Sequence, residues 1–504
     1  MAITSATAAN LTPSPVKKAI ASNYMDFAGG TNGWADQYLP EVMAREAEAY
    51  GNRTMSGFLR QVGAEEPMTS DQVIWSEQGR LHLAYKGHVS HDDNTAATVG
   101  GVSATNAGGQ LEIEQDIDGR TITTTHGIRK NDILLIADES ATAVVLVVSD
   151  PVGADTFDVV LYDAGNTTAT LANAGFAQGS DGDTNLTMLV IGSEFAKGAN
   201  GREGQNEPDH KTYSNKPIIL KDKYAVSGSD TAQIGWVEVS SEDGTGGYLW
   251  YVKAEAETRM RFTDYLEMSM LETVPTDSDE SLVDSFMGFT AGADGTTGHQ
   301  GLFNAISTRG NQTSGVTGVN AAVDLAEFDA ILAELDKNGG IEENMMFVNR
   351  ATALAIDDML ASMNSYGAGG TSYGVFDNSE DMALNLGFNG FRRGSYDFYK
   401  SDWKYLNQLD GRGGINATDS VNAIRGVMVP AGTQSVYDQM LGRNLTRPFL
   451  HVRFRASETD NRYLKTWVTG SVGAVTSDLD AMEIHYLSER CLVTQGANNF
   501  FLMN

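Results

Sequence analysis

Residues 248–271 read YLWYVKAEAETRMRFTDYLEMSML, a run with neither glycine nor proline, and Pro275 follows four positions later. Alanine, leucine, methionine, lysine, arginine and glutamate lose little side-chain freedom in a helix, so the composition predicts one here. At 1.5 Å per residue it would extend about 36 Å. Leu249, Val252, Ala256, Met260, Leu266 and Met270 are assigned to a single apolar face, which makes the segment an amphipathic core helix and a rigid spine at once.

Downstream of this helix a glycine-rich stretch leads to Asp324, which with Glu327 fits a capping-box start. Leu325, Phe328, Ile331, Leu332 and Leu335 then form an apolar stripe, and Gly339-Gly340 supplies the stop. A short strand at Met345 to Val348 precedes a helix capped by Asn349, with Ala353, Ile356, Leu360 and Met363 on one face. Helix, strand and helix in so short a span predict a local α/β unit. The final sixty or so residues return to alternation, with Leu450, Val452 and Phe454 set against His451, Arg453 and Arg455. Tyr463 to Val468 and Met482 to Leu487 continue it.

Upstream, Leu81, Leu83 and Tyr85, then Leu111 and Ile113, then Ile122 and Thr124 alternate with polar residues as half-exposed strands do. Between 127 and 195 the pattern becomes β-branched runs, Ile133 to Ile136, Ala143 to Val148, Phe157 to Tyr162 and Met188 to Ile191, separated by turn-rich stretches. That predicts a small antiparallel barrel or sandwich inserted in the chain. Lys216 to Val226 and Gln233 to Val239 return to strand character. Residues 1–70, with Pro13, Pro15, a glycine turn at Gly29 to Gly33 and one helix around Glu41 to Tyr50, read as an arm that needs something to dock on.

The 504 residues carry 35 basic and 66 acidic side chains, a formal charge of −31. Such a surface repels phosphate and lacks the counterion-release drive for tight nucleic-acid binding; it suits a wall that encloses DNA without gripping it and equally a highly soluble enzyme, so charge alone does not choose. The single cysteine, Cys491, excludes an intrachain disulfide and any multi-cysteine metal site. Apolar runs such as Ala143 to Val148 are too short to span a bilayer, so no membrane role is expected.

Motifs for chemistry are weak. Gly370-Thr371-Ser372-Tyr373-Gly374 matches the G-x-S-x-G nucleophile pattern but has no strand before it. A serine hydrolase using Ser372 is therefore kept only as an alternative. Asp181-x-Asp183-x-Asn185 opens like a calcium loop, yet Leu186 and Gly192 stand where glycine and glutamate are needed. The densest histidine cluster, His91-Asp92-Asp93, has three adjacent residues that rarely converge on one ion. Gly292, Gly295, Gly298 and Gly301 lack the Lys-Ser/Thr of a phosphate loop, and Asp277 to Glu280 reads as a solvated connection. Arg453, Arg455, Arg462 and Lys465 could pair within the chain or across a subunit boundary. No residue is assigned as catalytic, cofactor-binding or metal-ligating, and no cofactor is expected.

The order of elements resembles the major capsid proteins of tailed double-stranded DNA bacteriophages, the Hong Kong 97-like fold. Segments that carry the resemblance are KPIILKDKYAVSGSDTAQIG (216–235), GLFNAIS (301–307) and DLAEFDAILAELDKNGGIEENMMFVNRATALAIDDML (324–360). The closing stretch from Phe454 to Asn504 is similar to the end of capsid proteins from crAss-like and related marine phages. The resemblance implies an α+β fold: an N-terminal arm (1–70), the outward part of an extended loop (71–126), a β-rich insertion domain (127–195) and the loop's return (196–240). A peripheral domain with the spine helix (241–320), an axial domain (321–446) and closing strands (447–504) would complete it. It implies a virion protein, assembled in the host cytoplasm into hexamers and pentamers of an icosahedral shell. The expected partners are further copies of the chain, a separate scaffolding protein, a portal and decoration proteins. Some members of the family crosslink a loop lysine; Lys86, Lys216, Lys221 and Lys223 lie in the corresponding region, but no matching catalytic acid is found and no crosslink is expected. The other alternative is a tail or surface-fibre protein.

Overall fold

The computed structural model describes residues 65–78, 82–92, 108–122, 126–149, 155–162, 170–201, 210–229, 239–240, 246–247, 249–275, 299–363, 390–438, 443–472 and 475–504. The expected arm up to residue 64, its helix, the strand before Val239, Asp277 to Glu280 and Ser372 lie outside these residues. Contacts divide the α+β chain into two compact units, residues 1–75 with 213–504 and residues 76–212.

From the first unit, β1 (Glu65–Met68) leads into β2 (Val73–Gln78), along which the chain passes into the second. The second unit holds a closed six-stranded barrel: β3 (Ala84–His91), β4 (Gly109–Asp116), β5 (Asp132–Ala137), β6 (Thr142–Val147), β7 (Thr156–Leu161) and β8 (Leu186–Ser193). They pair in the order β3, β4, β7, β6, β5, β8, and β8 closes back on β3. Closure leaves no open edge and fixes which side chains point inward, because successive residues of a strand face opposite ways. Leu111, Ile113, Leu134, Ile136, Val145, Val147, Phe157, Val159 and Met188 fill the interior and are fully buried. Each such side chain contributes roughly 1.5–3 kcal/mol by leaving water.

The barrel corrects one expectation. Alternation placed Tyr85, Leu111 and Ile113 on half-exposed strands of an extended loop, but β3 and β4 are barrel strands and these three side chains are core. The alternation was real; the covered face is covered by the other four barrel strands.

Residues of β9 (His210–Asn215) pair with β2 as a two-stranded ribbon, and β10 (Ile218–Ser227) follows. A short pair, β11 (Val239–Ser240) and β12 (Gly246–Gly247), precedes α1 (Leu249–Glu272), the predicted long helix. The assigned apolar face holds at Leu266 and Met270, which are buried, and fails at Met260, which is 57% exposed; Phe262, not assigned to it, completes the buried row. Spaced by four residues, the three make one row along the helix. Phe262 and Leu266 pack on Ile484 and Tyr486, with the Phe262 and Tyr486 rings 5.9 Å apart.

Next come α2 (Leu302–Arg309), β13 (Asn311–Thr313), α3 (Ala321–Lys337), β14 (Glu343–Val348) and α4 (Arg350–Met363). The cap of α3 is Asn320, whose side chain accepts from the Ala322 and Val323 amides, both at 3.1 Å. The helix thus begins before the expected capping box. Asp324 and Glu327 instead reach back to the Gly318 and Thr317 amides, each at 2.8 Å, and hold the preceding loop. Its end is as expected: Gly339 takes φ 66°, and the Gly340 amide bonds the Leu335 carbonyl at 2.8 Å. Asn349 caps α4 through the Thr352 amide at 2.8 Å.

The remaining elements are β15 (Gly390–Arg393), β16 (Tyr396–Asp402), α5 (Arg412–Thr418), β17 (Gly426–Pro430), the paired β18 (Thr433–Asp438) and β19 (Arg443–Pro448), β20 (Leu450–Arg455), β21 (Lys465–Gly470), β22 (Ala481–Thr494) and β23 (Phe501–Met503). Two larger sheets result in the first unit. One has the order β1, β20, β22, β10, with β21 also on β22; the other runs β13, β23, β17, β14, β16, β15. In the second sheet Met346, Val348, Met428, Phe501 and Met503 pack with α3 and α4, while Phe347, Val427, Val429 and Leu502 pack with Leu302, Phe303 and Trp403. Both faces are apolar, which explains the unbroken runs MMFV, GVMVP and FFLM. The C-terminal residues join the two sheets: β22 is central in the first and β23 is inserted between β13 and β17 in the second.

Candidate functional site

Strands β5 to β8 of the barrel carry apolar side chains on their outer side as well. Ile133, Leu146 and Val160 lie side by side across β5, β6 and β7, and Leu135 lies between Val144 and Leu189. Exposure is 56% at Ile191, 44% at Tyr162, 38% at Leu189 and 36% at Val144. On so acidic a chain, clustered aliphatic surface favours association with another surface over contact with water. The Tyr162 hydroxyl bonds Glu194, which pushes the phenol up to about 12.

At the first unit's end of the ribbon, the Asn215 amide group donates to the carbonyls of Leu492 at 2.7 Å and Gln300 at 3.0 Å and accepts from the Gln300 amide at 2.9 Å. Beside it the Arg309 guanidinium lies 4.4 Å from the Tyr213 ring centre and 5.5 Å from that of Trp75. A cation shared by two neighbouring aromatic rings braces the ribbon where it enters the fold.

β1 pairs in parallel with β20, and ion pairs lie along that seam and on the neighbouring β21 and β22 segments. Arg453 meets Glu66 at 3.2 Å, Arg462 meets Glu489 at 2.6 Å, Lys465 meets Asp460 at 2.8 Å, and Arg455 bridges Asp71 and Glu489. All four cations of the basic cluster are therefore paired within the chain.

No family model matches this sequence, and no curated protein matches it. Solved phage capsid structures are similar to it. One is the asymmetric unit of the bacteriophage PhiM1 mature capsid, at 8% identity and a TM-score of 0.36, covering 99% of this chain and 98% of that one. A Mycobacterium phage Ogopogo structure gives 10% identity and 0.34, covering 62% of this chain and 82% of the other. The capsid structure of Cyanophage P-SCSP1u gives 9% and 0.31, covering 62% and 80%.

The remaining sequence candidates are placed as follows. Asp183 accepts from the Ser180 amide at 2.8 Å, closing a turn of its own. His91 is the last residue of β3, and Gly301 precedes α2 as its cap. Cys491 is fully buried and burial pushes its thiol up to about 12, which makes it unreactive. Lys86 lies in β3 of the barrel, Lys221 is exposed on β10, and Lys223 pairs with Glu483 at 3.0 Å. Among the described residues no helix is long and apolar enough to cross a membrane. One group escaped the sequence reading: His88, Glu112 and Glu114 converge on the barrel's outer wall. The Glu112-x-Glu114 alternation was the available signal, but only the β3 to β4 register brings His88 opposite Glu112.

Proposed function

We propose that this chain is a major capsid protein of a tailed double-stranded DNA bacteriophage, with the Hong Kong 97-like arrangement, and that its role is structural. The observation that carries the proposal is the path of the chain around α1. A two-stranded ribbon, β2 with β9, leads to and from an inserted barrel, and the next strand, β10, enters a sheet on which a 24-residue helix packs. A separate α/β sheet follows, and the last strands close both sheets.

In this assignment the ribbon with its barrel is the extended loop and its insertion. The β1, β20, β22, β10 sheet with α1 is the peripheral domain, and the six-stranded sheet with α3 and α4 is the axial domain. Copies join head to tail into rings that close by rotation, with the extended loop laid on the next copy. Obligate interfaces of this kind bury about 2,000 Å² or more, and the apolar outer wall of the barrel supplies surface suited to such burial. The acidic excess keeps the inner wall from adhering to packaged DNA. A scaffolding protein and a portal are the partners such a shell calls for, with decoration proteins as optional additions.

Sedimentation of the purified chain tests the proposal. Rings and larger species, in multiples of the 54.1 kDa chain, are expected. A chain that remains a monomer with and without its scaffolding protein would contradict it.

A further inference from the structure

The cluster on the barrel wall has the features of a built ligand site, and it is independent of the role of the chain in a shell. Val89, Leu111 and Ile113 point into the barrel, so the alternate residues of the same strands point out. His88 stands directly opposite Glu112 in the antiparallel register, and Glu114 follows on the same side of β4. An outward histidine should be wet, yet His88 is only 2% exposed.

The cover is the turn that precedes β8. The Gly179 amide donates to the Val89 carbonyl at 2.9 Å, and the Gln178 side chain donates to the Ser90 carbonyl at 2.7 Å. A Cβ at position 179 would sit 2.8 Å from the Cβ of His88, so the turn comes this close only because glycine is there. The Gly182 amide then donates to Glu114 Oε1 at 2.9 Å, fastening the same turn to the cluster.

Inside this enclosure the imidazole is poorly served. Its Nδ1 is shut away from solvent without a hydrogen bond, 3.5 Å from Glu114 Oε1, while Nε2 is 3.5 Å from Glu112 Oε2. Buried polar atoms are normally hydrogen-bonded, and 3.5 Å is beyond the usual N–H···O range of about 2.7–3.2 Å. Either distance is, however, the spacing of a nitrogen and an oxygen on one ion, since donors about 2.0–2.2 Å from a tetrahedral centre lie about 3.3–3.6 Å apart; an ion takes one of the two ring nitrogens, and the carboxylate facing the other nitrogen must close on it. One ligand atom from each of the three residues can be chosen so that all lie within 4.8 Å of one another.

We propose that His88, Glu112 and Glu114 bind a divalent transition-metal ion of the Zn²⁺ class. One imidazole nitrogen and two carboxylates make a donor set that suits zinc or manganese better than calcium, which takes six to eight oxygens. The two carboxylates also balance the charge of the ion. Bound there, the ion ties β3 to β4 and, through Glu114 and Gly182, to the covering turn, stabilising the barrel by mass action. The Asp181-x-Asp183-x-Asn185 segment contributes the cover rather than the ligands, as the turn bond of Asp183 shows.

The test uses the untagged full chain, stripped with chelator and titrated with Co²⁺ as a spectroscopic stand-in, then displaced with Zn²⁺. One saturable site per chain is expected, with a visible ligand-field band abolished by zinc and a rise in barrel melting temperature. Glu112→Gln and Glu114→Gln, which keep side-chain volume, and His88→Ala should each weaken binding by about tenfold or more, the loss that even an outer-shell partner can cause. Circular dichroism checks that each variant is folded, and the two glutamine variants keep the test decisive where His88→Ala does not fold. Absence of saturable binding, or binding that survives both glutamine substitutions, would overturn the proposal and leave an imidazole flanked by two carboxylates without an ion.

Discussion

Asn215 and Gln300, eighty-five positions apart in sequence, are joined by two hydrogen bonds in which the Asn215 side-chain amide stands in for a strand, donating at 3.0 Å and accepting at 2.9 Å. A third bond, to the Leu492 carbonyl at 2.7 Å, fixes the same amide to β22. The ribbon's return strand is thereby held at its last residue. Asn215→Ala leaves these backbone groups without partners in a site that is 6% exposed. The expected loss is about 2–3 kcal/mol in the stability of the first unit, measured by denaturant titration, because an unsatisfied buried group costs about 1–3 kcal/mol. Asn215→Asp keeps the acceptor, loses both donors and should be damaging as well.

Lys400 and Asp357 form an ion pair beneath α4, 7% and 8% exposed, and the lysine also donates to the Ala353 carbonyl at 3.0 Å. Removing one partner takes the counter-charge from the other in a site with little water. Lys400→Met should cost about 3–5 kcal/mol, and a second change, Asp357→Leu, should restore a large part of it. Thermal melts of the three variants give the comparison.

Stability should fall in acid partly through His299. Its ring is fully buried, with Nδ1 2.8 Å from the Thr273 hydroxyl, and burial holds its pKa down to about 3. Above an unfolded value of about 6.5 both states are neutral and the group makes no difference. As pH falls from there toward 3 the unfolded chain takes up a proton that the folded chain refuses, so folding weakens. Denaturation midpoints between pH 7 and pH 4 should drop less steeply in His299→Gln than in the unaltered chain.

Residues 82–195 expressed alone should fold, because they contain all six barrel strands and the plug residues Leu171 and Phe176. Residues 127–195 should not, since β3 and β4 are then missing. Circular dichroism and a cooperative melt distinguish the two. A folded 127–195 fragment would show that the barrel's closure is dispensable.

How much of this was legible depended on whether a partner was local. The spine helix was evident because helix formation is set by residues within a few positions of each other, and the stops at Gly339-Gly340 and the cap at Asn349 were evident for the same reason. Its buried side was legible only in part: Leu266 and Met270 are on it, but Ile484 and Tyr486, more than two hundred residues away, select Phe262 over Met260. Alternation in Leu111 and Ile113 gave strands, but nothing in the alternation says whether the covered face meets a neighbouring copy or, as here, a barrel interior. His88 escaped for a related reason: it meets Glu112 through strand register and is covered by a turn ninety residues later. The internal pairing of Arg453 with Glu66 and of Arg455 with Asp71 likewise needed the β1 to β20 seam, and that of Arg462 with Glu489 needed β22.

Cryo-electron microscopy of particles formed by the chain tests the central claim most directly. The account predicts an icosahedral shell of five- and six-membered rings in which the ribbon of each copy, β2 with β9, lies on the adjacent copy. Isolated molecules, open rods, or a shell in which that ribbon touches no neighbour would contradict it.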